Sequence, residues 1–116
     1  MAEAERTGWQ LLYNGALERI NMAKARMQAK DFEGKGKLIS KAIEIIGGLR
    51  SFLDFEKGGD LAPRLEGLYD YMERTLLEAN AKNDVAKLDE VAKLLHAVKE
   101  GWDGIRGDAV AQTQAV

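Results

Sequence analysis

The sequence lacks cysteine and contains only one histidine and one proline. Without cysteine it can form no disulfide, thiolate metal site or thiol nucleophile. The histidine, His96, has Lys93 three residues before it, where helical dimetal sites place a glutamate. No apolar run approaches the ~18 residues of a membrane span, and the start MAEAERTGWQ lacks the basic-then-apolar order of a secretory signal. We therefore expect a cytoplasmic protein with no metal or other cofactor.

The sequence also has few reactive side chains that could come together in an active site. The segment GlyLysGlyLys at Gly34 to Lys37 does not have the spacing of a phosphate-binding loop. The formal net charge is only −2, so no general attraction to nucleic acid or anionic membranes is expected. These features predict a protein that is not an enzyme, does not bind nucleic acid, does not insert into membranes, and recognises its partner through a local surface.

Four segments place apolar residues every three or four positions, which predicts helices, and no segment alternates with the period of a strand. The inner stripe of the first helix comprises Trp9, Tyr13, Ala16, Ile20, Ala23 and Met27. The second helix is predicted from about Asp31, its N-cap, to Asp54. The inner stripe of the fourth helix comprises Leu88, Val91, Leu95, Val98, Trp102 and Ile105.

Turn signals separate these helices. Gly58 and Gly59 end the second helix, and Asp60 can cap the third. The polar segment Asn80 to Asp84 is a short turn with Asn83 or Asp84 as the next cap, which makes the third and fourth helices antiparallel neighbours. We predict an all-α, antiparallel four-helix bundle with short turns over residues 1–106, followed by a disordered tail over 107–116.

The second helix has apolar residues over roughly half its circumference, more than one neighbour can cover. It either packs against two helices or leaves part of its outer row for a partner. Gly48 lies beside that outer row and could admit a close backbone approach, whereas Gly47 points away from the core and has no evident role. Tyr71 and Leu77 are expected to be partly exposed on the third helix. The residues predicted to line a groove that binds a partner protein, the client, are Ile45, Gly48, Leu49, Phe52, Leu68 and Tyr71.

His96 supports an alternative function. It is predicted to face solvent about 140° from the buried stripe of the fourth helix, with Lys99 three residues on. This resembles the HisXXLysGly motif of histidine phosphotransfer domains, but Glu100 occupies the position of the glycine. An ordinary surface histidine and a structural helical adaptor are the other interpretations.

Several segments in order resemble the FliS family of flagellin-specific export chaperones. They are LeuLeuTyrAsnGlyAla from Leu11, the Phe52 to Gly59 turn, LeuTyrAspTyrMet from Leu68, AsnAlaLysAsnAsp from Asn80, and LeuAspGluVal from Leu88 with Trp102. The resemblance implies a cytosolic four-helix bundle that binds the C-terminal segment of flagellin and prevents premature filament polymerisation. It also implies assistance in delivery to the flagellar type III export gate.

The N-terminal sequence departs from this family pattern. Family members usually carry additional N-terminal residues, including a tyrosine and a Ser-Pro turn, whereas Glu5 stands near the expected proline here. In relatives that arm packs on the bundle and can occupy the client surface. We therefore expect an uncovered groove, which could also drive self-association.

Overall fold

The computed structural model describes the backbone of residues 2–51, 53 and 61–115, and the side chains of residues 10–51, 53 and 62–101. Helix α1 spans Ala2–Gln28, α2 Phe32–Ser51, α3 Leu61–Lys82 and α4 Val85–Ala115. Each helix packs against the next, and α4 packs against α1. The described backbone contains no strand. The predicted all-α four-helix bundle is confirmed.

Polar side chains cap the helices at the two turns whose residues are described. The Asp31 carboxylate accepts a hydrogen bond from the Gly34 amide at 3.1 Å, and the Asp84 carboxylate accepts one from the Ala86 amide at 3.0 Å. Lys30 and Asn83 adopt positive φ values of 63° and 51°, which lets the chain reverse sharply. The predicted cap at Asp31 and the turn at Asn83 are confirmed, and of the two predicted caps for α4, Asn83 or Asp84, the structure shows Asp84.

The core is a continuous apolar cluster with a contribution from every helix. At its centre the Tyr13 and Tyr69 rings lie 6.4 Å apart and their hydroxyls share a hydrogen bond, so α1 and α3 meet across the bundle. Burial raises the pKa of both phenols. The largest fully buried side chains are Tyr13, Tyr69, Ile20, Ile39, Ile46, Leu49, Met72, Leu76, Leu88, Leu95 and Val91.

The predicted end of α4 differs from the structure, and the predicted end of α2 lies outside the described residues. Helix α2 ends at Ser51, and the predicted end at Asp54 and cap at Asp60 lie outside the described residues. Helix α4 continues to Ala115, where the sequence predicted an end near Ile105 and a disordered tail. Glycine lowers helix propensity without forbidding a helix, and the alanines and glutamines after residue 107 favour one. The division into a 1–106 domain and a tail stays a prediction.

Candidate functional site

The predicted groove residues on α2 that are described lie against α1 or in the core. A Cβ atom placed on Gly15 of α1 would lie 3.6 Å from Ile45 Cδ1, and one placed on Gly48 would lie 3.6 Å from Leu12 Cδ1. The close backbone approach predicted at Gly48 is not observed, because its neighbour is the Leu12 side chain at an ordinary van der Waals distance. Leu49 is only 1% exposed and belongs to the core.

The predicted groove residues on α3 lie on the side of the bundle formed by α3 and α4. The Tyr71 hydroxyl donates a hydrogen bond to the Glu90 carboxylate of α4, and this bond is the main reason that the pKa of Tyr71 is raised. Leu68, one turn before Tyr71, is half-buried against the core. Phe52 lies outside the described residues.

The predicted residues therefore do not form a single groove. Ile45 and Gly48 lie on the α1 side of the bundle, Leu68 and Tyr71 lie on the opposite α3–α4 side, and Leu49 is not available at the surface. Angles of 100° per residue place each side chain on its own helix correctly. They do not indicate which neighbouring helix lies on which side, so residues from two different faces were combined.

Exposed apolar side chains lie on three faces of the bundle. On the α1–α2 face, Leu11 and Met22 follow the Gly15 side of α1. On the α3–α4 face, exposed Tyr71 lies beside half-buried Leu68 and Leu94. The large apolar side chains that are exposed in the described part are Leu11, Met22, Phe32, Tyr71 and Leu77.

The α2–α3 face carries the other two exposed residues, Phe32 and Leu77. Phe32 is 48% exposed at the start of α2, and Leu77 is 57% exposed on α3. Leu77 is one turn from Glu73, which accepts a hydrogen bond from Arg50 of α2 at 3.0 Å, and less than one turn from Asn80. Leu77 therefore lies on the side of α3 that faces α2.

Small residues on α2 open a groove along this face, which we call the α2–α3 groove. We define it by helical position, as Phe32, Gly36, Ser40, Ile43 and Gly47 of α2 with Glu73, Leu77 and Asn80 of α3. Of these residues, Phe32, Gly36, Ser40 and Asn80 line a pocket. The α2 members are spaced 4, 4, 3 and 4 and so share one side of the helix. Nothing lies within 4 Å of a Cβ atom placed on Gly47. From Gly36 to Gly47 the groove extends ~16 Å, about three helical turns.

A shallow pocket lies in this groove near the start of α2. It has a volume of about 570 Å³ and is lined by Phe32, Glu33, Gly36, Lys37, Ser40, Lys41, Glu44 and Asn80. Gly36 and Asn80 face each other in this pocket, because a Cβ atom placed on Gly36 would lie 3.7 Å from Asn80 Oδ1. The pocket was not predicted, since Phe32 reads as an ordinary first-turn residue. The available signal was the spacing of Gly36, Ser40 and Gly47 on one side of α2.

Lys35 fixes one wall of the pocket from inside the bundle. Its side chain is buried, and its Nζ donates hydrogen bonds to the Asn80 carbonyl at 2.9 Å and to Asn83 Oδ1 at 2.6 Å. The same Nζ lies 5.5 Å from the centre of the Phe32 ring. Lys35 thus joins the start of α2 to the C-terminal end of α3, where unpaired carbonyls favour a cation.

The α1–α4 face differs from the other three because polar contacts cover it. Lys24 Nζ donates to Asp89 at 2.8 Å, and Lys99 Nζ donates to Asn14 at 3.1 Å. His96 is exposed, as its position on α4 predicted. None of the exposed large apolar side chains of the described residues lies on this face.

The described residues also bear on metal binding and on membrane insertion. The described residues include no group of three His, Cys, Asp or Glu side chains that could hold a metal ion. Within the same part of the chain, no helix is long and apolar enough to cross a membrane. The exposed apolar side chains on three faces of the bundle lie where an amphipathic partner segment could pack between helices.

Comparison with known proteins identifies the family. The family described as "Flagellar protein FliS" matches residues 4–109, and the chain belongs to this family. It is 55% identical over 96 residues to flagellar secretion chaperone FliSB of Pseudomonas aeruginosa, covering 83% of this chain and 76% of that protein. It is 44% identical over 96 residues to flagellar secretion chaperone FliS of Vibrio cholerae, with coverages of 83% and 71%. The Salmonella typhimurium protein of the same name is 42% identical over 104 residues, with coverages of 89% and 77%.

Proposed function

We propose that this chain is a cytoplasmic, non-enzymatic export chaperone that binds the C-terminal segment of flagellin. By covering that segment it prevents premature filament polymerisation, and it assists delivery to the flagellar type III export apparatus. Family membership supports the chaperone class, since the relatives bear the name flagellar secretion chaperone. The identity of the client and the contact with the export apparatus are our proposal.

The observation that carries the proposal is the distribution of exposed apolar side chains over three consecutive faces. A folded partner with one flat interface would need only one such face. A disordered segment can instead follow the surface from face to face, and it pays its ordering entropy on binding. The polar α1–α4 face marks where such a path would stop. The client therefore wraps around the bundle and leaves that face uncovered.

Isothermal titration with a flagellin C-terminal peptide tests the proposal. Burial of apolar surface predicts a negative heat-capacity change. Leu77→Glu should weaken binding about tenfold or more, because fully burying a leucine side chain is worth about 1.5–3 kcal/mol and each 1.4 kcal/mol is tenfold in Kd. The fold should survive, since Leu77 is 57% exposed. Asn21→Glu is the matched control, since Asn21 is exposed and lies between Asn14 and Lys24 on the polar α1–α4 face.

Two results would contradict the proposal. No binding by calorimetry or by any other probe would remove flagellin as the client. Equal affinities for the Leu77 and Asn21 variants would remove the α2–α3 groove as a client surface. Alternatively, a second copy of the chain could bind in the same groove. The sedimentation coefficient would then depend on protein concentration and would fall to the monomer value in the Leu77 variant.

A further inference from the structure

We infer that the last turn of α2, residues 48–51, opens and closes as one unit about the glycine pair Gly47–Gly48, and that Arg50 holds it closed against α3. We call this turn the α2 latch. Opening exposes Leu49, which is only 1% exposed in the closed structure. The latch therefore regulates how much apolar surface this end of the bundle presents, whatever client the bundle binds.

The two glycines are not required by packing. A Cβ atom on Gly47 would have no atom within 4 Å, and one on Gly48 would lie 3.6 Å from Leu12 Cδ1, an ordinary van der Waals contact. Alanine would fit at both positions and would favour the helix more strongly. The stretches on either side, Leu38 to Ile46 and Leu49 to Ser51, contain no glycine. The pair therefore makes one point of α2 easier to distort than its neighbours.

Hydrogen bonds within the latch keep it together when it moves. The Ser51 hydroxyl donates to the Gly48 carbonyl at 2.6 Å. The Leu53 amide donates to the Arg50 carbonyl at 3.1 Å, a bond between residues three apart that ends the helix. The Gly48 carbonyl lies on the latch side of the rotating bonds of both glycines, so rotation there breaks neither hydrogen bond. The turn therefore opens as a unit instead of unravelling residue by residue.

Arg50 joins the latch to α3 through two acids. Its Nε donates to Glu66 Oε2 at 3.1 Å, its Nη2 donates to the other Glu66 oxygen, and its Nη1 donates to Glu73 Oε2 at 3.0 Å. The two acids are two turns apart on α3, and the guanidinium spans both. These three side chains are only 20–34% exposed, so water screens them less than it screens ordinary surface ion pairs. Opening must break this clamp and expose Leu49, so the closed state predominates.

Amide hydrogen exchange of the full chain, followed residue by residue by NMR, tests the latch. The amides of Leu49, Arg50 and Ser51 should share one opening constant and exchange faster than the amide of Ile39 in the middle of α2. Gly47→Ala should slow the three amides about fivefold, because alanine stabilises the closed helix at the joint. Arg50→Met keeps the aliphatic part of the side chain and removes the clamp, so it should speed their exchange about tenfold.

Two control variants separate local opening from unfolding of the whole bundle. Gly36→Ala offers the same gain in helix propensity in the first half of α2, with an ordinary 3.7 Å contact to Asn80 Oδ1. Arg74→Met removes an exposed ion pair with Asp70 that lies within α3 and does not reach α2. Both variants should leave exchange in the latch unchanged.

Three results would overturn the inference. Equal slowing by Gly36→Ala and Gly47→Ala would show that the latch amides exchange only when the whole bundle unfolds. Opening constants that rise steadily from Leu49 to Ser51 would show ordinary fraying of a helix end. Exchange as slow as that of Ile39 would show that the turn does not open locally. The assay contains no client, so each of these results leaves the proposed function standing.

Discussion

Replacement of the buried lysine tests how the bundle is held together at the α3–α4 turn. Lys35 is 5% exposed and makes two hydrogen bonds, at 2.9 Å to the Asn80 carbonyl and at 2.6 Å to Asn83 Oδ1. Methionine has a similar length and an apolar end, so Lys35→Met removes both bonds with little loss of packing. The variant isolates the ammonium from the aliphatic stem that accompanies it.

The expected cost follows from the surroundings of each acceptor. Asn83 is exposed, so water can replace the ammonium there, whereas the half-buried Asn80 carbonyl loses a donor at a cost of about 1–3 kcal/mol. Part of that cost is offset because methionine avoids the desolvation of a buried charge. We expect a net loss of about 1–2 kcal/mol, or a fall in Tm of roughly 4–8 °C for a chain of this length.

Thermal and urea unfolding of Lys35→Met and Lys37→Met provide the comparison. Lys37 is two residues further along the same helix, is exposed, and makes only an i,i+4 ion pair with Glu33 at 3.5 Å. Such a pair contributes about 0.2–0.5 kcal/mol, so Lys37→Met should be close to the unaltered protein. If both variants lost the same stability, the assignment of a structural role to the buried ammonium would be wrong.

Four further variants are expected to change the results of the same unfolding assays. Gly34→Ala should destabilise by about 0.5–2 kcal/mol because its Cβ would lie 2.5 Å from the carboxylate that caps α2, whereas Gly47→Ala, with open space around its Cβ, should stabilise by up to about 1 kcal/mol. Leu49→Ala should lower the free energy of unfolding by about 2–5 kcal/mol. A smaller loss accompanied by weakened client binding would show that Leu49 is a surface residue that contacts the client. The hydrogen bond from Arg50 lowers the pKa of Glu66, so this contribution is present above the ordinary glutamate pKa and is lost as the pH falls through the lowered value. Glu66→Gln should therefore flatten the acid side of the Tm–pH curve, and an unchanged slope would contradict the pairing.

The residues that could be predicted from sequence are those whose role depends on one helix alone. Tyr71 and Leu77 are exposed, as their positions around α3 predicted. Predictions of this kind need only the 100° rotation per residue and the tendency of apolar stripes to face the core. The close backbone approach predicted at Gly48 was wrong, since only the Leu12 side chain lies within 4 Å of its Cβ position.

The candidate site was predicted less well because it depends on pairs of helices. The sequence grouped Ile45 with Tyr71, although the structure places them on opposite sides of the bundle. It assigned no role to Gly47, and the structure shows open space around the Cβ position of that residue. Gly36 and Leu77 are far apart in sequence, and neither segment predicts that their helices are neighbours or which sides of the two helices are adjacent.

Periodicity, caps and turn residues therefore determined the number of helices, their inner stripes and the short α3–α4 turn without reference to any contact. The recognisable segments from Leu11 to Trp102 also indicated the family. Only tertiary structure decided which apolar edges adjoin, where the pocket at Gly36 lies, and that Lys35 supports its wall. The physical reason is that helix formation depends on neighbours within one or two turns, whereas a groove between helices depends on how separate stripes pack around a shared core.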